Sequence, residues 1–80
     1  MAINVQGSRV VVTAGGGGIG LAIVEALTAG GALVHTCDVD AHALDACRTR
    51  FGVTTTVCDV SNEAQIDQLF EEAQAQLGGL

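Results

Sequence analysis

Between a run of β-branched residues and an apolar helical pattern the chain reads Thr13-Ala14-Gly15-Gly16-Gly17-Gly18-Ile19-Gly20. A pyrophosphate needs backbone N–H groups and the positive end of a helix within reach, and side chains at the turn would hold it off. Glycine removes that obstacle. Gly15, Gly17 and Gly20 meet the spacing G-x-G-x-x-G, while Gly18 and Gly20 meet a second phosphate-turn spacing, T-G-x-x-x-G-x-G, and the glycine run admits both registers. Asp38 follows Gly20 by 18 residues and closes a second β-branched run. From there a carboxylate accepts hydrogen bonds from the hydroxyls of an adenosine ribose and repels a 2′-phosphate, so the pattern points to NAD rather than NADP. Asp59 closes a third run, Val57-Cys58-Asp59-Val60. Its carboxylate suits an exocyclic amine of adenine, and the Val60 N–H suits a ring nitrogen.

These residues converge only if the elements between them place them at one edge. Arg9 to Thr13 is a short apolar run without alternation, the pattern of a parallel strand covered on both faces. From Ile19 the period changes: Ile19, Ile23 and Leu27 recur every fourth residue beside Ala22 and Ala26, which predicts a helix with those residues on its buried face, stopped by Gly30-Gly31. Ala32 to Cys37 reads as a second buried strand. Asp40 is a fitting N-cap for a helix that carries Leu44, Cys47 and Phe51 on one face and stops at Gly52. Val53 to Cys58, with three consecutive Thr, is a third strand. Ser61 or Asn62 then caps a helix with Ile66, Leu69, Phe70, Ala73 and Leu77 on one stripe, ended by Gly78-Gly79.

Strand and helix alternating at this spacing imply an α/β fold with parallel strands in the order 3-2-1, joined by right-handed crossovers. The first two helices then share one face and the third takes the other, leading toward a fourth strand. The sequence is therefore expected to be a Rossmann-type βαβαβα half-domain, truncated before strand four, with residues 1–80 forming one partial domain.

Composition narrows the partners. Nine acidic residues against three Arg and no Lys give a net charge of −6, with no basic stripe for nucleic acid or an anionic membrane surface. No apolar run approaches the ~18 residues of a membrane span. Cys37, Cys47 and Cys58 are odd in number and lack CxxC spacing, and no signal peptide leads the chain, so a cytoplasmic setting and a core role for the thiols are expected. His35 and His42 have no partner at metal or catalytic spacing, and no metal site is expected.

The segment from Thr13 to Gly20, with Asp38 and Asp59-Val60, resembles the nucleotide-binding half of the short-chain dehydrogenase/reductase family. That family has a T-G-x-x-x-G-I-G turn, an acidic residue after strand two and Asp-Val after strand three. The resemblance spans nearly the whole chain. It implies that Gly18, Ile19 and Gly20 lie along the pyrophosphate, that Asp38 binds the ribose, and that Asp59 and Val60 hold the adenine. Ala14 departs from the pattern, where the family most often has Gly. The family's catalytic Ser, Tyr-x-x-x-Lys and Asn follow strand four, and these 80 residues contain no Tyr and no Lys. The reading is thus the NAD(H)-binding portion of an oxidoreductase acting on an alcohol or ketone, without catalytic residues of its own. One alternative is a non-catalytic dinucleotide-binding module complete at 80 residues. Another, an S-adenosylmethionine methyltransferase, fits poorly, because such enzymes usually carry an acidic residue at the start of the glycine motif and Arg9 to Thr13 has none. A half-sheet of this kind would also expose the edge of its first strand, so self-association is expected.

Overall fold

In a computed structural model, which describes residues 5–13 and 18–78, three strands alternate with three helices: β1 Arg9–Thr13, α1 Gly18–Ala29, β2 Leu33–Asp38, α2 Ala41–Phe51, β3 Thr54–Val57 and α3 Glu63–Leu77. The strands form one sheet in the order β1-β2-β3, with both pairings parallel. Val12 lies opposite Thr36 in the first pair, and Cys37 lies opposite Thr56 in the second. This is the Rossmann-type α/β half-domain expected from the order of elements; the strand limits differ from the reading by about a residue at either end.

Alternation along the strands divides the core in two. Val12 and Val34 join Val24 of α1, Cys47 of α2, Ala32 and Val53 on one face, with Leu27 and Phe51 packed against them. On the other face Cys37 and Cys58 pack on Leu69 of α3, with Val11 beside them. The first two helices therefore share a face and the third covers the opposite one, as right-handed crossovers require. All three cysteines are buried thiols, behaving as small core residues.

Local chemistry sets the helix limits. The Asp40 side chain accepts from the N–H groups of His42 and Ala43 at 3.0 and 3.1 Å, and so caps α2. At its far end Gly52, with φ 71°, returns its N–H to the Arg48 carbonyl, a left-handed stop that a side chain would strain. Asn62, rather than Ser61, caps α3 by accepting from the Gln65 N–H at 3.2 Å, and Gly78 closes that helix on Gln74.

Two of the apolar stripes sit differently from the sequence reading. On α1 the buried residue is Val24, whereas Ile19 is 80% exposed and Ile23 is 44% exposed. A four-residue recurrence marks one line on a helix, but the centre of the buried face depends on where the sheet lies. Here α2 takes one flank of α1, where Glu25 lies 3.8 Å from Arg50. Ile23, two positions before Glu25 and roughly 200° round the helix, falls on the far flank beyond β1. On α3, Leu69, Ala73 and Leu77 are buried as expected, Ile66 is only half-buried, and Phe70 is 47% exposed.

His35 is fully buried in the middle of β2, on the α3 face. Its ring nitrogens lie 2.6 Å from the Thr54 hydroxyl (Nδ1) and 2.7 Å from the Thr56 hydroxyl (Nε2), and Thr56 in turn donates to Glu72 of α3. The bonds from Thr56 and Gln68 hold the Glu72 carboxyl below the usual carboxylate range, so it accepts only. The Thr56 proton is thereby committed to Glu72, its oxygen accepts from His35 Nε2–H, and Nδ1 accepts from Thr54. Hydrogen-bond logic thus assigns a neutral imidazole with the proton on Nε2. Burial lowers the His35 pKa, offset in part by the nearby Glu72 charge. The folded state consequently binds fewer protons than the unfolded chain once the pH falls below ~6.5, the ordinary imidazole value. Stability is fully present above that pH and is lost as pH falls toward the lowered value. We expect the thermal midpoint to drop between pH 7.5 and 5.5, and the slope to flatten in His35→Gln. Thermal unfolding of both proteins across that window checks it, and equal slopes would remove His35 as the cause.

Candidate nucleotide site

Parallel strands put their carboxyl ends on one side, and that is where β1, β2 and β3 deliver the residues of interest. After β1, Gly15 and Gly17 lie outside the described residues. Gly18 opens α1 with φ 57°, and a side chain built there would meet nothing within 4 Å. Gly18, Ile19 and Gly20 make up the first turn of α1, which contains no acidic residue. The first turn of a helix leaves its N–H groups without partners inside the helix, at a positive helix end where an anion is favoured. The largely exposed Ile19 side chain takes no part in the core below.

Asp38 is the last residue of β2 and is half-buried. Its carbonyl accepts from the Cys58 N–H at 3.0 Å, tying the ends of β2 and β3 together. Its carboxylate accepts from the Asp40 N–H at 3.1 Å. Asp38 and Asp40, two residues apart, have different work: Asp40 caps a helix, and Asp38 stands at the sheet edge.

Asp59 begins a tight turn after β3. The N–H and hydroxyl of Ser61 both donate to one carboxylate oxygen, at 2.9 and 2.7 Å, and the Asn62 N–H donates to the Asp59 carbonyl at 3.0 Å. The Ser61 hydroxyl, and then its N–H, hold the exposed Asp59 carboxyl below the usual range. It is ionised at neutral pH and can only accept. None of these bonds uses the Val60 N–H. The sequence reading missed Gln65, whose side-chain oxygen accepts from the Asp59 N–H at 2.7 Å. Its signal was present as Asn62-x-x-Gln65, the spacing of a capping box.

A shallow pocket of about 130 Å³ opens between these two strand ends, lined by Cys37, Asp38, Val39, Cys58, Asp59 and Val60. The exposed side chains of Val39 and Val60 give it apolar walls, and its two carboxylates can receive N–H or O–H donors. An anion would be repelled there, whereas the glycine-opened start of α1 favours one. A flat apolar base with an amine, a sugar with free hydroxyls and a phosphate group match this division of charge. No group of three or more His, Cys, Asp or Glu suited to a metal occurs among the described residues.

The sequence profile of the short chain dehydrogenase family matches residues 8–80. The chain belongs to the short-chain dehydrogenase family. It is 40% identical over 80 residues to a tropinone reductase homolog of Arabidopsis thaliana, covering 94% of this chain and 31% of that protein. Among solved structures, a short-chain dehydrogenase/reductase from Brucella melitensis, described as glucose/ribitol dehydrogenase, superposes with a TM-score of 0.92 at 30% identity over 100% of this chain and 36% of that one. A citronellol catabolism dehydrogenase of Pseudomonas aeruginosa gives 0.85 at 28% identity, over 91% and 33%. This short-chain dehydrogenase chain thus spans about a third of the length of the relatives it matches.

Proposed function

We propose that this chain is the NAD-binding portion of an oxidoreductase that transfers hydride between a nicotinamide cofactor and an alcohol or ketone. The convergence of the α1 start, Asp38 and the Asp59-Val60 turn at one sheet edge carries the reading. In it, Gly15, Gly17, Gly18, Ile19 and Gly20 flank the pyrophosphate, which the helix end and its N–H groups attract. Asp38 accepts from the ribose hydroxyls. Asp59 accepts from the adenine amine, the Val60 N–H donates to the ring, and Val39 and Val60 border the base. The nicotinamide ring supplies hydride chemistry when the cofactor is bound. The chain's own residues bind and orient; with no Tyr and no Lys in the 80 residues, the proton-transfer groups of the family have no counterpart here. The relatives' names, reductase and dehydrogenase, agree with carbonyl and alcohol chemistry. Buried thiols suit a reducing cytoplasm, and none of the described helices is long and apolar enough to cross a membrane.

If these residues hold the adenosine and pyrophosphate, then ADP-ribose should bind within about threefold of NAD, while nicotinamide mononucleotide should bind at least tenfold more weakly. Calorimetric titration with the three ligands tests this. Tight binding of the mononucleotide alone, or of none of them, would overturn the reading.

A further inference from the structure

We propose that Gln65 is a positioning residue for base recognition, holding the Asp59 turn so that the carboxylate is presented to the adenine amine; this rests on the adenine reading given above. Gln65 is the third residue of α3, and in an ordinary capping box its side chain would reach back to the N–H of the capping residue. That N–H, on Asn62, is already bonded to the Asp59 carbonyl at 3.0 Å. The Gln65 amide instead passes the cap and meets the Asp59 N–H at 2.7 Å. Because that partner is an N–H, the amide oxygen must face it, which fixes the orientation of the side chain.

The same residue grips the turn at three points. Its N–H donates to the Asn62 side chain at 3.2 Å, its carbonyl accepts from the Cys58 thiol at 3.5 Å, and its side chain holds Asp59. Cys58 is anchored in the core against Cys37 and Leu69, so Gln65 links the buried floor of the pocket to its exposed recognition group. Ser61 occupies one Asp59 oxygen, which leaves direction rather than charge as the quantity that Gln65 controls. Asp59 is exposed, and without this acceptor its N–H turns to water while the turn gains freedom. The cost falls on the contact that needs the carboxylate in one place.

The test uses NAD and nicotinamide hypoxanthine dinucleotide, in which a carbonyl replaces the adenine amine, titrated calorimetrically into the protein and its variants. Wild type should favour NAD. Gln65→Met keeps the length and helix propensity of the side chain but removes its acceptor. It should weaken NAD about fivefold, the scale of one hydrogen bond, and leave the analogue within twofold. Gln65→Glu, which retains an acceptor, should restore the preference. Full discrimination in Gln65→Met, or an equal loss for both ligands, would overturn the role of Gln65 while leaving the adenine reading intact. Equal binding of the two ligands by wild type, unchanged in Asp59→Ala, would instead overturn the adenine contact and the role of Gln65 with it.

Discussion

NAD should bind this protein about fiftyfold more tightly than NADP, and Asp38→Ser should bring the two within about fivefold. Two effects add. In NADP the ribose 2′ oxygen is esterified and no longer donates to Asp38, a loss on the order of 1 kcal/mol. Its phosphate also meets a carboxylate, where like unit charges ~4 Å apart near a protein surface repel by up to about 4 kcal/mol. Asp38 is only half-buried, so solvent screening reduces that figure. A third of it, about 1.4 kcal/mol, already makes a factor of ten. No arginine offsets the repulsion: Arg9 starts β1 at the opposite end of the sheet, Arg48 pairs with Asp45, and Arg50 lies near Glu25. Serine is the informative replacement. Its hydroxyl can still accept from the Asp40 N–H, so the turn before α2 survives, and it can donate to a phosphate. Titration of both cofactors into both proteins decides the matter, and tighter NADP binding by wild type would refute the assignment.

The 80-residue chain should associate with itself rather than remain a monomer. Among the described residues β1 pairs with β2 alone, so within that sheet its other edge has no strand to take up its N–H and C=O groups. Edge strands usually deter pairing with charges, bulges or Pro, and Val10-Val11-Val12 has none of these. Both flanking helices point apolar side chains toward the same side. Ile23 lies on the flank of α1 away from α2. On α3, Glu72 reaches Thr56 of β3, and Phe70, two positions earlier and roughly 200° away, lies on the β1 side. Ile23 and Phe70 are 44% and 47% exposed. A bare strand edge between two apolar helix flanks buries its surface by meeting another chain. Sedimentation over a range of concentrations should show dimers or larger species, and hydrogen exchange of the Val10 to Thr13 amides should slow as concentration rises. A monomer at every concentration, with those amides strongly protected, would refute this.

Much of the architecture was legible in the sequence because its signals are local. Glycines after β1, α2 and α3, the Asp40 and Asn62 caps and the β-branched runs each act within a few residues, and the order of elements then admits one parallel arrangement. The placement of the candidate site residues is local in the same way: Asp38 ends β2, Asp59 lies in the turn just after β3, and Gly18 to Gly20 open the helix after β1, and parallel pairing brings those three connections to one side of the sheet whatever the details of packing.

Other features waited for the tertiary structure, because they depend on neighbours remote in sequence. Periodicity along α1 selected Ile19 and Ile23, but the positions of the sheet and α2 made Val24 the buried residue. His35 reads in isolation as a strand histidine; only pairing with β3, which brings in Thr56 from 21 residues away, and the crossing of α3, which brings in Glu72, gave it two hydroxyl partners, one neutral tautomer and a link to pH. Gln65 stood at capping-box spacing, but the bond it makes was decided when the Asp59 carbonyl took the Asn62 N–H, leaving the Asp59 N–H as the donor within its reach.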